Sequence, residues 1–141
     1  GYVGQIKNVD TNFLINALQS NYIPVIAPLG FNENNEIFNI NADDVACSIA
    51  ASISAEKLIL MTDQEGVLND NGELLTNLDV AEVKKLIKKE IISGGMLPKV
   101  NACITALGGG VKKTHIIDGR VEHAVLLELF TNTGIGTLVN K

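Results

Sequence analysis

Residues 55–68 read Ala-Glu-Lys-Leu-Ile-Leu-Met-Thr-Asp-Gln-Glu-Gly-Val-Leu, an apolar run from Leu58 to Met61 that stops abruptly on the polar turn Thr62-Asp63-Gln64-Glu65-Gly66. A short apolar run bounded by turn residues reads as a strand. Helical patterns flank it. Upstream, Val45, Ala46, Ile49, Ala50 and Ile53 recur on one face of a helix predicted from Ala42 to Ser54. Downstream, Asp79 and Glu82 have the spacing of a capping box, starting a helix that runs to about Lys89.

The same alternation extends to both ends. Tyr2–Val9 reads as a strand, Asp10 as the cap of a helix with Phe13, Leu14, Ala17 and Leu18 on its apolar face, and Ile23–Ala27 as a buried strand bounded by prolines. A helix predicted over Pro98–Leu107 buries Val100, Cys103, Ile104 and Leu107 and stops at Gly108-Gly109-Gly110. His115–Asp118 reads as a buried strand, Glu122–Phe130 as a helix and Thr137–Val139 as a closing strand. Phe31–Asn39 reads as a hairpin turning at Asn34-Asn35, and Asn71-Gly72, between Val67-Leu68 and Leu74-Leu75, as a second hairpin. Strands separated by helices predict an α/β fold: a three-layer αβα sandwich with a mainly parallel sheet and hairpin insertions.

Composition narrows the function classes. The 141 residues are 46% apolar, enough for one folded domain with a core, and no repeat, low-complexity tract or linker divides them. A net charge of -5 and a pI near 4.9 exclude electrostatic nucleic-acid binding, and Lys84, Lys85, Lys88 and Lys89 read as a solvated helix face. With no long apolar span and no leader, the expected partners include no membrane, and the expected compartment is the cytoplasm or a plastid stroma. Cys47 and Cys103 sit among Ala, Ile and Val and read as buried free thiols of a reducing compartment. The chain opens at Gly1 directly on an extended apolar segment, the expectation being a piece of a longer protein.

Three loops have the chemistry of a site. Asn39-Ile40-Asn41-Ala42-Asp43-Asp44 places two amides and two carboxylates at a helix start. Capping by Asn41 and dipole complementarity account for part of this cluster, but leave Asn39 and the doubled acid without a role. Thr62–Val67 follows the carboxyl end of a strand, where open α/β sheets collect ligands, although such a turn also serves as a plain connection. In Ser93-Gly94-Gly95-Met96-Leu97-Pro98-Lys99, glycines precede a helix whose first turn carries a lysine. A cation opposes the helix dipole there, whereas free amides and a lysine together attract phosphate; a surface lysine behind a flexible loop is the alternative. No zinc spacing, Ser-His-Asp order or Walker-type loop is present.

The blocks YIPVIAPLG (22–30), FNINADD (38–44), AEKLILMTDQEGVL (55–68), SGGMLPKV (93–100), HIIDGR (115–120) and LLELFTNTGIGT (126–137) together resemble the C-terminal, nucleotide-binding half of arginine-sensitive acetylglutamate kinases within the amino-acid-kinase superfamily. The resemblance covers essentially the whole chain. It implies phosphorylation of the side-chain carboxylate of N-acetyl-L-glutamate by ATP with Mg2+, with no tightly bound cofactor. By position it implies that Asn39 and Asn41 bind substrate, that Asp43 organises catalytic lysines and that Lys99 stabilises the phosphoryl group in flight. Asp63, Gln64, Glu65, Gly66, Val67, Leu68, Ile91, Ile92 and Ser93 would line the ATP site, and His115, Glu128 and Gly134 would hold arginine as feedback inhibitor. The family's glycine-rich loops and its other catalytic lysine lie in an N-terminal half not represented here, so the isolated segment is expected to be inactive. A homo-oligomer and a PII signalling protein are further partners that the resemblance implies for the full-length enzyme. Two other readings are another amino-acid kinase and a non-catalytic arginine-binding module.

Overall fold

In the computed structural model, which describes residues 3–131 and 134–141, the elements are α1 (Asn12–Gln19), β1 (Leu29–Phe31), β2 (Ile37–Asn39), α2 (Ala42–Ser52), β3 (Lys57–Thr62), β4 (Asn77–Asp79), α3 (Val80–Lys88), α4 (Met96–Gly108), β5 (Lys113–Asp118), α5 (Ala124–Phe130) and β6 (Thr137–Asn140). The main sheet has the order β3-β5-β6-β4. β3 runs parallel to β5 from Lys57 opposite Lys113 to Thr62 opposite Asp118, and β4 runs parallel to β6, while β5 and β6 are antiparallel. This is the predicted mixed α/β fold with a mainly parallel sheet and helices on both faces.

Burial explains the layers. β5 is buried at every position from Thr114 to Asp118, as a strand covered on both sides must be. Ile116 faces the larger core and joins the cluster formed by Val100, Cys103 and Leu107 of α4, Cys47 and Ala50 of α2, Val83 of α3 and Leu58 and Leu60 of β3. On the opposite face, His115 meets Glu128 of α5. Each fully buried aliphatic side chain in such a core contributes on the order of 1.5–3 kcal/mol, which makes the α2–α4–sheet contact the main source of stability.

Local chemistry fixes the helix starts. The Asn41 side chain accepts from the amides of Asp43 and Asp44, capping α2. Asp79 and Glu82 form the predicted capping box on α3, with bonds of 2.7 and 2.9 Å. Cys47 and Cys103 are both buried free thiols. Among the described residues, no helix is long and apolar enough to cross a membrane.

The first forty residues depart from expectation. Tyr2–Val9 supplies only a single parallel bridge, Val3 to Asn39, in place of a strand, and Tyr2 lies outside the described residues. Ile23–Ala27 is not a buried strand: Ile23 and Val25 are 90% and 97% exposed, and no described strand pairs with the segment. Pro24 and Pro28 have no amide to donate to a ladder. They lie instead with Ile26 along a groove of about 350 Å³ over Val45, Ile49 and Ile53. α1 forms, but Phe13 and Leu18 of its apolar face are exposed and the helix has no buried residue. β4 was not foreseen, because three residues with one apolar side chain, Leu78, show no periodicity.

Both hairpins form, and they share one device. In the first, Asn32 Oδ1 accepts from the amides of Asn34 and Glu36 while its Nδ2 donates to Glu36. In the second, Asn69 does the same with Asn71 and Glu73. The reverse turns close between Asn32 and Asn35 and between Asn69 and Gly72, one residue earlier than the predicted centres. Asn35 and Gly72 take the left-handed position at φ 60° and 79°, a conformation that Asn and Gly tolerate best.

Candidate functional site

The loop leaving the carboxyl end of β3 and the turn before α4 face one another across a cleft of about 330 Å³. Gln64, Gly66, Val67 and Leu68 form one wall, and Ile91, Ile92 and Ser93 another. These segments are distant in sequence, yet both were expected at a nucleotide site. Asn69, Gly94, Gly95 and Met96 complete the lining, whereas Asp63 and Glu65 are exposed residues outside it. The first wall is held tightly. Val67 donates its amide to Thr137 Oγ1 at 2.8 Å and accepts from Leu75 through its carbonyl. Gly66, at φ 150°, lies where an added Cβ would stand 2.6 Å from Thr137 Oγ1 and 2.7 Å from Leu74, so only glycine fits.

The α4 start differs from the expected row of free amides. Met96 and Leu97 turn their N–H groups back to the carbonyls of Ser93 and Gly94 at 3.3 Å, long bonds typical of a tightened first turn. No side chain caps this helix. Lys99 lies one turn beyond the cleft residue Met96 and crosses to α2, where Nζ bonds both carboxylate oxygens of Asp43 at 3.0 and 3.2 Å. Both side chains are about four-fifths buried, 18% and 21% exposed. The pair therefore answers the oddity of a lysine in a helix's first turn: its charge balances a carboxylate placed where the other helix dipole favours it. Asn41, fixed by capping, and Asn39, exposed at the end of β2, precede Asp43 on the same connection.

On the opposite face of β5, the three residues expected to hold arginine come together. His115 Nδ1 lies 2.5 Å from Glu128 Oε1, and the second carboxylate oxygen of Glu128 accepts from the amide of Ile135 at 2.8 Å. Gly134, at φ 60°, packs so closely that a Cβ would stand 2.9 Å from Glu128 Oε2. The His115 and Glu128 side chains are more than nine-tenths buried, and His115 Nε2 has no hydrogen-bond partner among the described residues.

Asp118, the last residue of β5, and Arg120, in the turn that follows it, were not singled out by sequence reasoning; the Gly119 amide between them donates to the carbonyl of Thr62 at the end of β3. Asp118 accepts from the Arg120 backbone amide, Nε and Nη2 at 2.9, 2.9 and 2.7 Å. The side-chain bond to Arg120 holds the Asp118 carboxyl below its ordinary range, and Asp118, with Asp63 and Glu65 adding to it, raises the affinity of Arg120 for its proton. Burial pushes the Cys103 thiol up to about 11. Among the described residues, no group of three or more His, Cys, Asp or Glu side chains could hold a metal ion.

A profile of the amino acid kinase family matches residues 1–118, which span both walls of the cleft, Asp43 and Lys99. The chain belongs to the amino acid kinase family. Within that family it is 56% identical over 141 residues to the acetylglutamate kinase of Pelobacter propionicus, covering 100% of this chain and 48% of the relative. It is 51% identical to the acetylglutamate kinase of Moorella thermoacetica over 99% of this chain and 48% of that protein. The chain thus spans about half the length of the curated relatives it matches. Among solved structures, the N-acetylglutamate synthase of Neisseria gonorrhoeae complexed with coenzyme A and L-arginine superposes with a TM-score of 0.94 at 32% identity, over 100% of this chain and 33% of that one. The carbamate kinase of Giardia lamblia bound to AMP-PNP has a TM-score of 0.71 at 23% identity over 99% of this chain and 47% of its own, a likeness of fold.

Proposed function

We propose that the full-length protein transfers the γ-phosphoryl group of ATP to the side-chain carboxylate of N-acetyl-L-glutamate, and that residues 1–141 are its C-terminal, nucleotide-binding half. The observation that carries this reading is the Lys99–Asp43 pair one turn from a cleft built from both predicted nucleotide loops. The acceptor carboxylate oxygen attacks the γ-phosphorus, the bond to the β–γ bridging oxygen breaks, and ADP departs with that electron pair. Such a transfer needs positioning and charge neutralisation more than covalent participation by the protein. Lys99, positioned by Asp43, neutralises charge on the moving group, and Mg2+ enters as part of the Mg-ATP substrate. Asn39 and Asn41 lie on the acceptor side, and Asp63–Leu68 with Ile91–Ser93 take the nucleotide.

The supporting comparison is the identity of about half of all residues to proteins named acetylglutamate kinase. The remaining substrate and phosphate contacts belong to the half that the relatives possess beyond this segment, so the segment alone is inactive. The exposed apolar groups of residues 13–37 fit a chain continued by that half. A substrate panel tests the assignment: the full-length protein should release ADP with N-acetylglutamate and not with aspartate, glutamate or carbamate. ADP release with one of those instead would replace the acceptor.

We further propose that arginine binds at His115, Glu128 and Gly134 and inhibits the enzyme. Support comes from the buried His115 Nε2, which has no hydrogen-bond partner among the described residues and lies beside a buried carboxylate, and from the arginine complex of the similar synthase. The same complex favours a second reading, an arginine-binding segment whose chemistry lies elsewhere. The Lys99–Asp43 pair speaks against it, since a sensor has no use for phosphoryl-transfer residues. Glu128→Gln should abolish arginine inhibition while leaving turnover without arginine intact; equal inhibition of the variant would remove the effector assignment.

A further inference from the structure

We propose that Thr137 is a positioning residue of the nucleotide cleft, acting through its hydroxyl on the Gly66–Val67 wall; this rests on the kinase reading above. Thr137 opens β6 and is fully buried. Its main chain belongs to the ladder with β5, opposite Ile116. The ladder needs nothing from the hydroxyl, and a valine of the same shape suits a strand equally well. The hydroxyl is spent elsewhere: Oγ1 accepts the Val67 amide at 2.8 Å across 70 residues of sequence.

Val67 is 1% exposed, so without that acceptor its N–H is a buried donor with no replacement from solvent. The neighbouring Gly66 offers its bare Cα to the same oxygen, and Leu75 holds the Val67 carbonyl at 2.8 Å. Val67 is thus gripped at both polar atoms, at a position that lines the cleft. Two residues before Thr137, the Ile135 amide is tied to Glu128, which fixes the approach of the chain to β6. A wall fixed in this way suits a nucleotide site, because a displacement of about 1 Å in a positioning group can cost on the order of a hundredfold.

The test uses the full-length protein with T137V, which removes the oxygen at constant shape, and T137S, which keeps it. T137V should weaken Mg-ATP binding by calorimetry and raise the KM for ATP by about tenfold, within the roughly hundredfold that a misplacement of about 1 Å can cost. The KM for N-acetylglutamate should stay within about twofold of wild type, and T137S should bind Mg-ATP as wild type does. In parallel, the Val67 amide should lose hydrogen-exchange protection in T137V alone, a readout that needs no ligand. Should T137V not fold, T137A and T137S share the lost methyl and differ in the oxygen, and carry the same comparison. Unchanged Mg-ATP affinity and unchanged Val67 protection in a folded T137V, or a tenfold loss in T137S, would overturn the assignment. Failure of the wild-type protein to bind Mg-ATP at all would overturn the kinase reading instead, with the Val67 exchange result still deciding the structural role of Thr137.

Discussion

Lys99 Nζ lies 3.0 Å from Asp43 Oδ2, joining the first turns of α4 and α2 across 56 residues of sequence. Two helix starts that would otherwise be independent are thereby held at one spacing. Removing one partner leaves the other charge largely buried and unpaired, so Lys99→Met should destabilise the fold by roughly 1–3 kcal/mol in urea unfolding. On the proposed kinase reading, Lys99→Ala and Asp43→Ala in the full-length protein should each lower kcat by at least about a hundredfold, and the double variant should lose little more than either alone, because groups that act as a unit are not additive. Additive losses would separate their roles.

The Asp118–Arg120 contact predicts a pH dependence with a definite sign. The folded carboxyl is held below its unfolded value, so it contributes stability above the unfolded pKa of about 3.9, and that contribution is lost as pH falls through the lower folded value. Arg120→Ala should therefore be less stable than the parent by a constant amount from pH 7 down to about 4, and the difference should shrink as pH falls further through the lower folded value. Because the Arg120 side chain is 65% exposed, the gap should shrink in high salt. Urea unfolding at pH 7, 5 and 3 reads this directly.

The thiols give the opposite sign at the alkaline end. Burial raises the Cys103 thiol from 9.0 to about 11, so folding favours the protonated form and stability should fall as pH climbs through that interval. Cys47 is raised as well, by burial and by Asp44. Neither cysteine should react with a thiol reagent at pH 8 faster than the chain unfolds, and Cys103→Ala should flatten the alkaline loss. Rapid modification of the folded chain would show that α2 and α4 open locally.

The twin hairpins make a paired prediction. Asn69→Ala removes an acceptor for two amides and a donor to Glu73, and should cost about 1–2 kcal/mol. Gly72→Val, at φ 79°, should cost a similar amount through the left-handed penalty of about 1–2 kcal/mol. Asn32→Ala removes the same three bonds from the first hairpin and should cost a similar amount, with the loss of protection in hydrogen exchange confined to that hairpin.

Those hairpins show where sequence reading succeeds and where it stops. Asn71-Gly72 announces a reversal, but the residue that organises it, Asn69, acts through its side chain two and four positions on and has no periodic signature. Likewise 57–62 and 113–118 are legible as strands because their burial is dictated by local composition. The fate of 23–27 is not: its apolar residues describe a buried strand, yet Ile23 and Val25 are exposed, and burial depends on tertiary partners that local composition does not reveal. At the site, the unusual placement of Lys99 was visible, while its pairing with Asp43 required the α2–α4 packing. Thr137 gave no local signal at all, since its bond to Val67 spans 70 residues.

Titration of Mg-ATP into the 141-residue chain by calorimetry, with circular dichroism confirming that it is folded and Lys99→Ala run alongside, tests the central claim most directly. Saturable binding at one site, weakened about tenfold or more by the substitution, is the predicted result, since the cleft walls and the lysine all lie within this segment. A folded chain that takes up no Mg-ATP, or that binds it equally well without Lys99, would contradict the assignment of this cleft as the nucleotide site.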